Sequence, residues 1–280
     1  MVKINFWKMH GLGNDYVVID NRNETLEEHA LSDIAKNLCK RRYSIGADGV
    51  LLIHNSAIAD AKMKILNADG SRAEMCGNGI RCFAKYCYEQ GITRKKYMTI
   101  ETLDGVKDAW LHVKEGKVQN VKVNMGEPHL FRKDIPMQGE GKCLNEKLLL
   151  DGDAFAITCL SIGNPHCVIF VDNIDAFPVH KIGQKIENHT LFPNRTNVEF
   201  VKVLNRKEVK MRVWERGCGE TLACGTGACA CVVAGNLLGH LNNKCIVHLL
   251  GGDLKIHYDG VVMMEGEAEK AFEGVLQVKE

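Results

Sequence analysis

The sequence predicts an α+β protein of two pseudo-symmetric domains, each a curved β-sheet or barrel wrapped around a central helix. Three observations carry that expectation. First, two cysteine–glycine turns, Cys76-Gly-Asn-Gly79 and Cys224-Gly-Thr-Gly227, lie 148 positions apart, and Met63-Lys-Ile65 aligns with Met211-Arg-Val213 at the same offset. Upstream, Gly13-Asn14 answers Gly163-Asn164 at an offset of 150. Second, strand-like runs outnumber helical ones. Third, each half holds one helix that is unusually apolar or rich in small residues, which strands can approach closely. A chain of 280 residues accommodates two domains of ordinary size. The expected halves are 1–126 and 127–270, with a last strand at about 271–280 packing back on the first half.

The elements follow in order. Met1 to His10 alternates apolar and polar side chains and reads as a strand. Thr25-Leu-Glu-Glu28 resembles a capping box ahead of a helix through Leu31, Ile34, Ala35 and Leu38. Gly49–Ile53 and Lys62–Leu66 read as strands, and Ala68–Ser71 as a turn. After Gly79, the residues Ile80, Phe83, Ala84, Cys87 and Tyr88 recur at helical spacing, and Gly91 supplies a C-terminal cap. Strands at 97–103, 107–114 and 118–124 are separated by Asp104-Gly105 and Glu115-Gly116 turns. In the second half, strands are expected at 155–160 and 166–172, then a helix near 179–187 introduced by Pro178. Strands at 197–204 and 209–214 flank a turn at Asn205–Lys207. The helix after Gly227 is built of Ala228, Cys229, Ala230, Cys231 and Ala234. Hairpin strands at 244–250, 253–258 and 260–265 precede a final strand at Gly274–Lys279.

Composition narrows the function. The chain has 36 basic and 35 acidic residues, a net charge of +1, which gives no broad cationic surface for nucleic acid. No apolar run approaches the roughly 20 residues of a membrane span. The N-terminus lacks the charged head and apolar core of a signal peptide, so a cytoplasmic protein is expected. Twelve cysteines are many; in the cytosol they stay reduced, and no Cys-x-x-Cys pair occurs. Cys39, Cys87, Cys143, Cys159, Cys167, Cys231 and Cys245 are expected to be small buried hydrophobes.

Cys76 and Cys224 differ in their surroundings. Removing a proton from the α-carbon of an amino acid needs a base on that carbon and preorganised donors for charge building on the carboxylate. A glycine turn that opens a helix offers free backbone N–H groups and the positive end of the helix dipole. The same setting is expected to lower a thiol pKa toward neutrality, so that a cysteine there serves as base or acid. A pseudo-two-fold relation would make two such thiols face each other across a cleft. No lysine stands in a clear Schiff-base context, so no pyridoxal cofactor is expected. A cysteine–glycine sequence is also simply a tight turn, but two copies at equivalent positions argue against that. A metal site from Cys218, Cys224, Cys229 and Cys231 with Glu215 and Glu220 is disfavoured, because Cys229 and Cys231 point to different faces of one helix.

Six segments resemble the diaminopimelate epimerase family, in its motif order and across nearly the whole chain. They are Phe6-x-Lys-Met-His-Gly-Leu-Gly-Asn-Asp15, Gly46-Ala-Asp-Gly49, Asn67-Ala-Asp-Gly-Ser71, Met75-Cys-Gly-Asn-Gly-x-Arg81, Gly163-Asn-Pro-His166 and Glu215-Arg-Gly-x-Gly-Glu-Thr-x-Ala-Cys-Gly-Thr-Gly-Ala228. The resemblance implies cofactor-independent interconversion of LL- and meso-2,6-diaminopimelate, on the route to lysine and peptidoglycan. It assigns Cys76 and Cys224 as the catalytic thiols, and Gly77, Asn78, Gly225 and Thr226 as the binding positions for the reacting carboxylate. Asn14, Asn67, Asn164, Asn197, Glu215 and Arg216 match the other substrate-contacting positions, and His166 a site-lining histidine. No metal is implied, and the resemblance is compatible with a homodimer. Glu215 and Arg216 could meet the second ammonium and carboxylate of the substrate with opposite signs. Taken alone, either could instead be a partner in a structural ion pair, Asn14, Asn164 and Asn197 could be backbone-capping turn residues, and His166 a satisfied core histidine. Two positions depart from the pattern. Cys218 stands where alanine is frequent and is expected to be a small buried residue, or to pair with Cys224 on oxidation. Gly49 stands where some members carry a polar side chain. Two other readings stay open: a related proline or hydroxyproline racemase, and a non-catalytic thiol-rich metal or redox protein.

Overall fold

The computed structural model describes residues 2–278. In chain order the strands are β1 (Val2–Gly11), β2 (Asn14–Asp20), β3 (Gly49–His54), β4 (Ala61–Asn67), β5 (Arg72–Ala73), β6 (Tyr97–Thr102), β7 (Gly105–Lys114) and β8 (Lys117–Gly126). They continue as β9 (Cys143–Leu150), β10 (Asp153–Ser161), β11 (Pro165–Phe170), β12 (Asn197–Asn205), β13 (Glu208–Glu215) and β14 (Gly219–Thr221). The last four are β15 (Lys244–Leu249), β16 (Gly252–Asp259), β17 (Val261–Gly266) and β18 (Glu269–Val278). The helices are α1 (Leu31–Leu38), α2 (Gly77–Glu89), α3 (Val179–Glu187) and α4 (Gly225–Leu237). Of the expected terminal strands, Met1 and Lys279 lie outside the described residues. The chain forms two compact units, Met1–Val123 with Gly266–Glu280, and Asn124–Glu265.

The two units share one pairing scheme. In the first, β18, β1 and β2 run antiparallel, β2 lies parallel to β3, and β3 antiparallel to β4. β4 then takes β5 and, in parallel, β6, which leads into the β6–β7–β8 meander. In the second unit β9, β10 and β11 take the places of β18, β1 and β2; β11 is parallel to β12, and β12 antiparallel to β13. β13 takes β14 and, in parallel, β15, which leads into β16 and β17. The duplication seen in sequence is thus a duplication of strand order and direction.

Each sheet curls around one helix. α2 touches β1, β2, β3, β4 and β7, strands from nearly the whole width of its sheet. α4 touches β10, β11, β12, β13, β15 and β16. Ten of the thirteen residues are buried in α2, and ten of thirteen in α4. Small side chains make this possible: a Cβ on Gly235 of α4 would lie 2.5 Å from Leu241. The opposite sheet faces carry α1 and α3. Leu31, Ala35 and Leu38 of α1 pack on Val17, Ile19, Val50 and Leu52. Val179, Ile182 and Ile186 of α3 pack on Val198, Phe200 and Trp214. Because alternate strand residues face opposite ways, Asn14, Tyr16 and Val18 of β2 are left facing the α2 side.

Several expectations need correction. The capping box at Thr25–Glu28 does not form: a 3-10 turn occupies Glu28–Ala30, and α1 starts at Leu31 with no side-chain cap. Glu28 is drawn away by Lys64 at 2.5 Å and by Arg72. Asn21 organises this loop instead, its amide bonded to the Leu26 N–H at 2.8 Å and carbonyl at 3.0 Å. Strands β2, β5, β9 and β14 were not anticipated. Among the described residues no helix is long and apolar enough to cross a membrane.

Candidate active site

In the first unit Cys76 is the N-cap of α2, in extended backbone (φ −142°, ψ 121°), and its sulfur accepts the Gly79 N–H at 3.5 Å. A thiol here replaces the oxygen of an ordinary N-cap side chain. The Tyr16 hydroxyl lies 2.9 Å from Cys76 Sγ and donates to Asn14 Oδ1 at 2.8 Å. Asn78 Nδ2 also donates to Asn14 Oδ1, at 3.3 Å. The Asn14 amide orientation is fixed by chemistry: Nδ2 donates to Asp48 Oδ2 at 2.8 Å, and a carboxylate only accepts. Asp48 is tied to Asp15 by Arg41, which bridges both carboxylates at 2.7 and 2.8 Å. Burial alone would raise the Asp15 pKa, but Arg41 and Lys8 overcome it and hold it below the usual carboxylate range. Arg81, fully buried in α2, donates to Gly77 O at 2.9 Å and Asn78 Oδ1 at 3.0 Å, and reaches Glu267 O at 3.0 Å. The helix start is therefore held from inside by a guanidinium. Asn67 is exposed and donates to Ser71 Oγ at 2.9 Å.

In the second unit Cys224 is the N-cap of α4 (φ −121°, ψ 113°), and its sulfur accepts the Gly227 N–H at 3.3 Å. Thr226 Oγ1 is 3.4 Å from the same sulfur. Burial, then Glu215 and Glu199, push the Cys224 thiol well above its ordinary pKa. The expectation that the helix start lowers it does not hold here. Desolvation and two nearby carboxylates outweigh the dipole and the Gly227 N–H. Glu215 is itself raised, chiefly by burial, although Thr221 Oγ1 donates to it at 2.5 Å. His166 is fully buried, with Nδ1 2.7 Å from Glu199 Oε1 and Nε2 2.9 Å from Asn164 Oδ1. Asn197, which pairs with His166 across β11 and β12, donates to Pro165 O at 2.8 Å and accepts the Arg216 N–H at 2.9 Å. The Arg216 side chain is exposed, with Nη1 3.2 Å from Asn194 O.

Apart from Asn67, whose exposed side chain bonds to Ser71, the predicted residues gather in two clusters, one per unit. Asn14, Gly77 and Asn78 surround Cys76. Asn164, His166, Asn197, Glu215, Arg216, Gly225 and Thr226 lie with Cys224 on, or next to the ends of, β11, β12, β13 and α4. Sequence reasoning missed Tyr16 and Glu199. The same 150-residue offset that matched Gly13-Asn14 to Gly163-Asn164 pairs Tyr16 with His166. The 148-residue offset pairs Leu51 with Glu199, and each packs under the glycine of its helix start. A Cβ on Gly79 would lie 3.3 Å from Leu51, and one on Gly227 2.7 Å from Glu199 Oε1.

Both departures from the family pattern have structural consequences. Cys218 is exposed rather than buried, because Gly217 and Gly219, at φ 79° and 85°, turn it outward. At Gly49 a Cβ would lie 2.6 Å from Leu66 O and 3.2 Å from the Tyr16 ring. The Leu66 carbonyl first, and the Tyr16 ring beside it, take the space a side chain there would need. Among the described residues no group of three or more His, Cys, Asp or Glu is placed to hold a metal ion.

The fold is one seen in solved epimerases and their relatives. The structure is similar to that of a phenazine biosynthesis protein of the PhzF family from Bacillus anthracis, with a TM-score of 0.73 at 18% identity, covering 99% of this chain and 100% of that one. It is similar too to a hydroxyproline epimerase from Agrobacterium vitis with bound trans-4-OH-L-proline (TM-score 0.72, 14% identity, 98% and 91% covered). Sequence identifies the family. The family model described as diaminopimelate epimerase matches residues 6–131 and 158–271. Relatives named diaminopimelate epimerase are 50% identical over 275 residues in Moorella thermoacetica (97% of this chain, 98% of that one) and 46% over 285 residues in Bacillus cereus (100% and 99%). The chain belongs to the diaminopimelate epimerase family.

Proposed function

We propose that the chain is an isomerase that interconverts LL- and meso-2,6-diaminopimelate, with Cys76 and Cys224 as its acid–base pair. The observation that supports this most is a thiol at the equivalent helix N-cap of each unit, in a chain of this family. One sulfur, as thiolate, takes the α-proton and becomes a thiol. The other, as thiol, gives its proton to the opposite face of the same carbon and becomes a thiolate. Charge balances, and the roles exchange when the reaction runs in reverse. Burial and the Glu215 and Glu199 carboxylates favour Cys224 as S–H, which suits it to give a proton while Cys76 takes one.

The backbone N–H groups at Gly77–Asn78 and Gly225–Thr226 are suited to the carboxylate on the reacting carbon, where negative charge develops. Glu215 and Arg216 offer opposite charges for the distal ammonium and carboxylate, and Asn67, Asn164 and Asn197 offer amide contacts. His166 holds Glu199, which bears on Cys224. In this scheme the donors hold the developing charge, and no electron-sink cofactor is used.

The test is a chiral assay of both stereoisomers with the wild type, Cys76→Ala and Cys224→Ala. Each variant should lose roughly 10²–10⁴-fold or more in turnover, the scale of a general acid or base. Full activity in either one contradicts the two-thiol reading.

A further inference from the structure

The two thiols are not equivalently partnered. Cys76 has a phenol at 2.9 Å, whereas the matching position in the second unit is His166, whose ring nitrogens are both engaged by Glu199 and Asn164. We propose that Tyr16 is a further catalytic residue, whose hydroxyl serves both protonation states of Cys76. The inference rests on the reading of Cys76 as an acid–base group.

The geometry gives the hydroxyl two settings. When Cys76 is a thiolate, the Tyr16 O–H donates to Sγ, and Asn14 Oδ1 still receives the Asn78 amide. When Cys76 has taken a proton, its S–H donates to the Tyr16 oxygen and the Tyr16 O–H turns to Asn14 Oδ1, 2.8 Å away. No proton leaves the tyrosine: the substrate proton stays on sulfur, and only the O–H rotates. The arrangement needs a fixed acceptor, and Asp48 supplies that by holding the Asn14 amide with its carbonyl toward Tyr16. It also needs a phenol that stays protonated. Burial, then Cys76, raise Tyr16 well above its ordinary pKa, so it acts as a donor and not as a base. Other titratable or charged groups around this pair are Cys82 and Asp48, with Arg81 beside Cys82.

Tyr16→Phe keeps the ring that packs against Gly79 and Gly49 and removes only the hydroxyl. Loss of a charge-assisted hydrogen bond predicts a fall in kcat of about 10- to 100-fold, with KM little changed. It also predicts that iodoacetamide labelling at the Cys76 peptide begins at higher pH than in the wild type. The Cys224 labelling profile should stay in place. Uniform replacement of tyrosine by 3-fluorotyrosine, a stronger donor that keeps the hydroxyl, should move the Cys76 profile the other way. A purely packing role would lower the melting temperature and leave the Cys76 profile where it is. An unshifted profile in both proteins overturns the role of Tyr16. A shifted profile in a protein whose wild type does not turn over diaminopimelate overturns the assigned reaction and leaves the hydroxyl contact standing.

Discussion

At the scale of residues, the two helix-start turns are similar and differ in the charge around them. Gly79 and Gly227 open helices of the same length and give an N–H to the preceding sulfur. Beneath one lies Leu51, and beneath the other the fully buried Glu199. Glu199 Oε1 is taken up by His166, while Oε2 has no hydrogen-bond partner among the described residues. A buried carboxylate so placed disfavours a thiolate at Cys224, adding to burial itself and to Glu215. Glu199→Gln keeps the shape and an acceptor for His166 and removes one charge. Cys224 labelling should then begin at lower pH, with the Cys76 profile unchanged; a profile that stays put or moves up would show that Glu199 does not act on the sulfur. The pairing of Tyr16 with His166 shows how far residue-level reading reached. Both cysteines were visible because glycines and an offset marked them. Tyr16 and Glu199 sit inside apolar strands, where nothing local distinguishes a group facing the helix start from one facing the core.

At the scale of elements, periodicity located the long segments and failed where geometry breaks it. α2, α3 and α4 and most strands follow the expected ranges within a few residues. β9 was missed because its apolar alternation is interrupted: Asn145 has φ 53°, and the register with β10 slips between Ile157 and Cys159. β5 and β14 are only two and three residues long, too short for any period. The capping box failed because Glu28 finds cations from β4 and β5 before it can fold back on its own backbone. The start of α2 depends on a residue in its own second turn. Arg81→Met would fill much of the volume but leave Gly77 O, Asn78 Oδ1 and Glu267 O without the guanidinium. Gly77 O keeps the helical N–H of residue 81 and Glu267 is exposed, so Asn78 Oδ1 is the buried acceptor that loses this donor. Such a loss costs about 1–3 kcal/mol, which urea denaturation should show. A loss below about 1 kcal/mol would mean that the guanidinium does not hold the helix start. The same change has no analogue at the equivalent position of α4, which is Cys229.

At the scale of the molecule, a single topology is used twice, and the proposed reaction draws one thiol from each copy. Strand order, strand direction and the cysteine at the helix start are duplicated, while the residues around each sulfur have diverged. That divergence is why repeat matching found the thiols and did not reveal that one is phenol-bonded and the other is flanked by carboxylates. Duplication alone is compatible with several chemistries, and the fold is shared with proteins of other names. The central claim is that two different groups handle the departing and the arriving proton, and isotope placement tests this most directly. LL-diaminopimelate should be turned over in deuterated water to low conversion, and substrate and product separated and analysed for label at the reacting carbon. The account predicts deuterium at the inverted centre of the meso product and protium retained in the unreacted substrate, because the arriving proton comes from a thiol equilibrated with solvent. Product that keeps the original protium would mean that one base both removes and returns the proton, and would contradict it.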